Sequence, residues 1–335
     1  MKIAVVGAGA IGGYLGARLA LSGEDVTFIA RGANLEAIRA NGLRLIEQDG
    51  SERVARNVRV EQDTARAGAQ DYVLLALKAH QAAAVAASMP ALYGERTAVV
   101  TMQNGVPWWY FHKLGGQFDG RPVTRVDPDG TLAAHIPGER VIGSVVYPAS
   151  ELVAPGVVKV IEGNRFSLGE PDNSKSERAL ELSEALTRAG FKAPVSSDLR
   201  SEIWLKLWGN LTFNPVSALT HATLARICRF PLTRDLAASM MREAQTVAEA
   251  LGVRFRISID KRIAGAEAVG EHKTSMLQDV ERGRSLELEA LLGAVVELAR
   301  MTSTATPHID AVYACASLLA ATLAERGGRL EVRAG

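Results

Sequence analysis

The chain has 335 residues, 47% hydrophobic and 22% charged, a globular balance with room for two domains of ordinary size. Its formal net charge of +1 excludes a long-range field that would gather nucleic acid or an anionic membrane surface. Affinity for any anion must therefore be built locally.

Met1 and Lys2 lead straight into Ile3-Ala4-Val5-Val6, with no charged leader and cleavage site. No run of about 18 uncharged apolar residues appears, so the expectation is a soluble, cytoplasmic protein with no membrane partner. Cys228 and Cys315 are widely separated and match no metal or redox spacing. They read as reduced thiols in helical cores, and no metal site is expected.

In chain order, Ile3–Val6, Val26–Ala30, Tyr72–Leu77 and Ala98–Met102 read as buried strands, each a short aliphatic run bounded by turn residues. Tyr14–Leu21 and Gln81–Met89 lie between them as Ala-rich helices. Alternating strands and helices predict a Rossmann-type doubly wound parallel sheet. A hairpin interrupts the order: Leu43–Glu47, an Asp49-Gly50 turn, then Arg53–Val60. Pro107–Pro137 reads as a long surface excursion with an aromatic cluster, Trp108-Trp109-Tyr110-Phe111, that either anchors the loop or lines a pocket. Val141–Leu168 is strand-like, with Pro155-Gly156 as a turn. Beyond Glu170-Pro171-Asp172-Asn173 the pattern turns helical as far as Arg326. The predicted fold class is α/β, a Rossmann-type domain over 1–172 followed by an all-α domain over 173–335.

Gly7-Ala8-Gly9-Ala10-Ile11-Gly12 follows the first strand and opens a helix, the setting of a dinucleotide turn. Gly7 permits the tight turn, Gly9 lets the backbone approach a pyrophosphate, and Gly12 lets helix and strand pack closely. The residue after the second strand is Arg31. An NAD site usually carries an acid near that point, whereas Arg suits a 2′-phosphate, so NADP is expected. Lys78 and Asn104 sit just past two other strand ends, on the edge of the sheet where ligands bind.

In the helical half, Lys206, Asn210 and Asn214 recur every four residues and form one polar stripe. Ile203, Trp204, Leu205, Leu207, Trp208, Leu211 and Phe213 surround it, so the helix is buried. Pro215 is expected to end or kink it at Asn214. A buried lysine has its pKa pushed down, toward the range where it gives up a proton near neutral pH. Ketone reduction needs such an acid as negative charge grows on the oxygen, and the two amides can hold the substrate and that oxygen. A second polar cluster runs from Ser275 to Glu289; Ser275, Asp279 and Glu287 could share a helix face. Whether Glu287 or Glu289 faces inward is open at this point. Arg282, Arg284 and Glu289 read as solvated neighbours.

Taken together, these residues resemble the ketopantoate reductases (2-dehydropantoate 2-reductases) over nearly the whole chain. The match is carried by Gly7-x-Gly9-x-x-Gly12, Arg31, Leu77-Lys78-Ala79-x-Gln81, Gln103-Asn104-Gly105, Lys206 with Asn210, Asn214 and Pro215, and Ser275-Met276-x-Gln278-Asp279 with Glu287 beyond. The resemblance implies NADPH-dependent reduction of 2-dehydropantoate or a similar small 2-keto acid, a step in pantothenate synthesis. It implies that Arg31 and Lys78 bind the 2′-phosphate and that the Leu77–Gln81 motif, with Gln81, belongs to the cofactor site. It places Asn104 near the nicotinamide ribose and the substrate, and Lys206 as general acid. Asn210, Asn214 and Ser275 would bind substrate, and Glu287 would support Lys206 and a substrate hydroxyl. Pro107–Pro137 is longer than the family pattern. The competing readings are a hydroxyisobutyrate or 6-phosphogluconate type of dehydrogenase and a non-catalytic NADPH-binding redox sensor. Arg31 and the Lys206 stripe favour the reductase. The helical half could support a homodimer, although no interface signature marks one.

Overall fold

The computed structural model describes residues 1–328. Two compact units emerge: Met1–Val123 with Asp127–Leu199, and Thr124–Val126 with the chain from Arg200 onward.

The first unit is built on a seven-stranded sheet. Its strands are β1 (Lys2–Val6), β2 (Asp25–Ile29), β5 (Val58–Glu61), β6 (Gln70–Leu75), β7 (Tyr93–Thr101), β8 (Val141–Val146) and β11 (Phe166–Gly169). The remaining strands, β3 (Leu43–Ile46), β4 (Glu52–Ala55), β9 (Ala149–Ala154) and β10 (Val157–Glu162), make a separate four-stranded sheet. The large sheet runs β11-β8-β7-β6-β1-β2-β5, parallel throughout except for β11 against β8. Ile3, Ala4, Val5, Val73, Leu74 and Val99 are fully buried, as a sheet covered on both faces demands. The helices of this unit are α1 (Ala10–Leu21), α2 (Gly32–Asn41), α3 (Thr64–Ala67), α4 (Ala79–Ala86), α5 (Thr131–His135) and α6 (Glu177–Arg188). Order along the large sheet reverses at β1, with β6 on one side and β2 on the other, and this switch point opens the crevice for ligands.

The predicted hairpin needs correction. β3 and β4 do pair antiparallel, but β4 stops at Ala55 and Val58–Glu61 leaves it to extend the large sheet parallel to β2. The apolar pattern is continuous across Arg56-Asn57, so periodicity alone hides the change of sheet. The small sheet has the order β4-β3-β10-β9 and packs on α1, where Val158 and Leu43 lie over the bare Cα of Gly13.

In the Pro107–Pro137 excursion the aromatic cluster is an anchor. Trp108 to Phe111 are all buried, and the Trp109 indole N–H donates to Thr101 Oγ1 of β7 at 2.9 Å. The Trp109 ring lies on Gly143 of β8, where a Cβ would approach it to 2.7 Å. Within Pro107–Pro137, Asp127 folds the chain back by accepting from the backbone N–H of Leu132 and Ala133, both at 2.9 Å.

The periodicity of α6 looks the same as that of the helices after it, which is why 172/173 suggested a boundary. In the structure α6 packs on β11, and the chain after it bridges back at Arg165–Lys192 and Leu168–Val195. The first unit accordingly extends to Leu199.

The second unit is helical: α7 (Leu199–Thr220, starting at the boundary), α8 (Leu224–Arg229), α9 (Pro231–Ala250), α10 (Ile259–Ala268), α11 (Ser275–Glu281), α12 (Ala294–Met301) and α13 (Pro307–Glu325), with a turn of π-helix at Glu289–Gly293. Pro215 does not end α7, which continues to Thr220. Pro215 leaves the Leu211 carbonyl without its helix bond, but burial of Val216, Ser217 and Ala218 holds the last turn in place. Midway along α7, the Trp208 indole donates to the Met241 carbonyl of α9 at 2.7 Å and lies beside Phe255, with ring centroids 4.3 Å apart. Glu243 of α9 caps α13, accepting from the backbone N–H of His308 and Ile309. Alpha-helix α13 is long and apolar enough, by length and composition, to cross a membrane; here it packs against α9 and carries Asp310 in its first turn. Cys228 is buried as expected, whereas Cys315 is exposed on α13. Its helical periodicity fits a core position equally well, so the sequence could not separate the two faces.

Candidate active site

The turn between β1 and α1 shows why its glycines are glycines. Gly7 has φ +104°, and a Cβ there would fall 2.8 Å from Leu77 Cδ2. A Cβ on Gly12 would lie 2.0 Å from the Gly7 carbonyl oxygen and 3.0 Å from Ala76 Cβ, so helix and strands close up only without it. A Cβ on Gly9 would meet nothing within 4 Å. Packing does not require Gly9; a bare backbone facing open space is what a closely approaching pyrophosphate requires. Ala10 and Ile11 form the first turn of α1, and Ile11 packs against the core.

That open space belongs to a cavity of about 470 Å³. Gly7, Ala8 and Gly9 floor it, Arg31 enters from the end of β2, and Gln81 from α4. Among the described residues, no carboxylate lines it. The geometry fits a dinucleotide: a glycine turn at a helix N-terminus, room beside it, and a guanidinium among the cavity's walls. Arg31 is exposed at the N-cap of α2. Lys78 is the half-buried N-cap of α4, and its backbone N–H donates to Gln81 Oε1 at 3.3 Å; its side chain is not among the cavity's walls. Asn104 is half-buried just past β7. Beside it the Gln103 amide donates to the carbonyls of Leu75 and Leu77 at 2.7 and 3.0 Å, fastening the exit of β6.

Sequence reasoning missed several cavity residues: Asn34, Gln62, Thr64, His80 and Ser88. Asn34 donates to the Ala8 carbonyl and accepts from the Gly156 N–H at 2.7 Å, tying the glycine turn to the small sheet. Thr64 donates to the Ser88 carbonyl at 2.7 Å. Gln62 and Thr64 could have been found had β5 been recognised as a sheet strand, since they follow its C-terminal end.

In the helical unit, continuous α7 keeps Lys206, Asn210 and Asn214 on one face. Asn214 is buried, and its amide reaches Ser275 Oγ at 3.5 Å, from the first turn of α11. Lys206 keeps some exposed surface, yet burial around its amine pushes the pKa down to about 8. The opposing influence is the charge of Glu287, which favours the protonated amine. Glu287 is buried, so the open choice between the two glutamates resolves. Glu289 faces out, accepts from the Tyr313 hydroxyl at 2.7 Å and pairs with Arg125 at 3.6 Å. No single helix carries Ser275, Asp279 and Glu287, because α11 ends at Glu281 and Gly283 turns the chain. Asp279 is instead buried against Arg284 at 3.0 Å.

The family model described as ketopantoate reductase PanE/ApbA matches residues 3–173, and the model of that family's C-terminal part matches 198–320. The chain belongs to the ketopantoate reductase family. It is an oxidoreductase, and the family uses a nicotinamide cofactor on a small keto acid. A 2-dehydropantoate 2-reductase of Mesorhizobium japonicum is 57% identical over 328 residues, covering 98% of this chain and 99% of the relative. A candidate ketopantoate reductase structure from Ralstonia solanacearum is 41% identical, with TM-score 0.92 over 96% of this chain and 98% of the other. D-mandelate dehydrogenase, solved with NADH and anilino(oxo)acetate, has TM-score 0.82 at 22% identity over 97% and 99% of the two chains, a likeness of fold.

Proposed function

We propose that this chain reduces 2-dehydropantoate to the 2-hydroxy acid with NADPH, using Lys206 as the proton donor, as a step in pantothenate synthesis. The carrying observation is the Lys206–Glu287 pair inside the helical unit of a family reductase. NADPH supplies the hydride to the carbonyl carbon. Lys206 hands a proton to the carbonyl oxygen as charge develops there. A value about 8 leaves the amine mostly protonated at neutral pH yet acidic enough to give that proton up. Glu287 holds the donor form. Asn210 and the Asn214–Ser275 pair supply amide and hydroxyl donors to orient the substrate and its oxygen. Asn104 is assigned to cofactor and substrate.

NADPH rather than NADH is supported by Arg31 in a cavity that no carboxylate lines among the described residues, since NAD sites usually place an acid at the ribose 2′-OH. Gly7, Gly9, Ala10, Ile11, Gly12, Lys78 and Gln81 complete the proposed cofactor site. We place the enzyme in the cytoplasm. The deciding experiment follows absorbance of the reduced nicotinamide with purified protein, NADPH or NADH, and a panel of 2-keto acids. Fast turnover with NADPH and 2-dehydropantoate is expected; a preference for NADH or for another keto acid overturns the corresponding part.

A further inference from the structure

One carbonyl of the glycine turn has no place in the helix that follows. The ladder of α1 begins with the Gly13 N–H on the Gly9 carbonyl at 2.8 Å, so the Ala8 carbonyl lies one residue outside it. Ala8 is buried, and a buried carbonyl needs a donor. Asn34, in the half-buried first turn of α2, supplies one from its side-chain amide. The oxygen of that amide accepts from the Gly156 N–H at 2.7 Å, in the turn between β9 and β10. Only one orientation of the amide serves both partners, so the side chain is pinned at both ends. Gly156 is itself fastened: its carbonyl accepts from the Arg44 N–H of β3 at 2.8 Å.

The consequence falls on Gly9. The carbonyl and the N–H of a trans peptide point in opposite directions. With the Ala8 carbonyl turned to Asn34, the Gly9 N–H is turned away from it, and that N–H meets no acceptor among the described residues. Packing does not hold this peptide, because a Cβ on Gly9 would touch nothing within 4 Å. The bareness that admits a ligand to the cavity wall also leaves the backbone easy to rotate.

We propose that Asn34 is a positioning residue for the pyrophosphate of the cofactor: by holding the Ala8 carbonyl, it fixes the Ala8–Gly9 peptide with the Gly9 N–H presented to the phosphates. This role rests on the dinucleotide reading of the cavity. Asn34 acts through the turn that it holds. Without it, the peptide can rotate and set a carbonyl dipole against an anion, and the N–H has to be ordered at the moment of binding. NADPH and NADH share the pyrophosphate, so the effect of Asn34 should be blind to the ribose phosphate, unlike that of Arg31.

Direct binding to the full chain tests this, with nicotinamide fluorescence for NADPH and NADH and competition by adenosine 2′-phosphate, which has no pyrophosphate. Asn34→Ala suits the helix, and Asn34→Leu keeps the side chain's volume, so both should fold; melting without nucleotide checks that they do. Each variant should bind NADPH and NADH more weakly by the same factor, about tenfold, while adenosine 2′-phosphate binds as it does to wild type. Unchanged affinity for both dinucleotides overturns the role. So does a loss confined to NADPH, or one that extends equally to adenosine 2′-phosphate, since either would move Asn34 from the pyrophosphate to the ribose end. If the wild type binds neither dinucleotide, the cofactor reading itself fails.

Discussion

Glu287 is the carboxylate whose charge opposes the desolvation of Lys206, and it sits just ahead of the π-helical turn Glu289–Gly293. The two effects have opposite signs. Burial lowers the amine's pKa, and Glu287 raises it, with the net result about 8. Reduction needs the protonated amine. The rate constant kcat/KM for keto acid should therefore hold below pH 8 and fall as pH rises through it. In Glu287→Gln the raising influence is gone, so the descending limb should move to lower pH. A pH–rate profile checks both; a limb that moves to higher pH contradicts the assigned pairing.

Lys206→Ala should lower kcat by roughly 10²- to 10⁴-fold, the usual contribution of a positioned acid. NADPH affinity should be nearly unchanged, since the proposed cofactor residues lie elsewhere in the sequence. Lys206→Arg keeps the charge but not the readiness to release a proton, and should also be slow. Rapid turnover by the Arg variant would show that the charge, not the proton, is what the reaction uses.

The dinucleotide turn, the buried lysine stripe and the family were legible because each depends on local spacing. GxGxxG needs only its neighbours, and 206/210/214 needs only the period of a helix. The route of Val58–Glu61 into the large sheet, and the attachment of α6 to β11, were not legible. Both are contacts between distant segments, and the local pattern is the same whichever partner is chosen. The choice between Glu287 and Glu289 depended on a π-helical turn and on Tyr313 and Arg125, neither of them near in sequence. His80 and Asn34 escaped for a related reason: a lone polar residue in a helix shows no sign of the cavity beside it.

Gly9 and Gly12 should separate binding from folding. In Gly12→Ala the new methyl would meet the Gly7 carbonyl 2.0 Å away, so thermal stability and cofactor binding should fall together. In Gly9→Ala the methyl meets no protein atom within 4 Å. That variant should melt close to wild type without nucleotide, yet lose most of the stabilisation that NADPH gives the wild type. Equal melting behaviour of the two variants would contradict the division of roles.

Trp109 should matter to stability and not to substrate choice. Its ring fills the space over Gly143, and its N–H satisfies Thr101 Oγ1 at 2.9 Å, in the core of the first unit. Trp109→Ala should cost about 3–5 kcal/mol, the range for emptying a buried aromatic site. Trp109→Phe keeps part of the ring but leaves Thr101 without its donor, so it should cost less than the Ala variant. Gly143→Ala should destabilise from the other side of the same contact, because the added methyl reaches to 2.5 Å of Leu199 Cδ2 and 2.7 Å of the indole. Denaturant unfolding ranks the three. A variant that folds as stably as wild type but prefers a different keto acid would move the aromatic cluster from the core to the pocket.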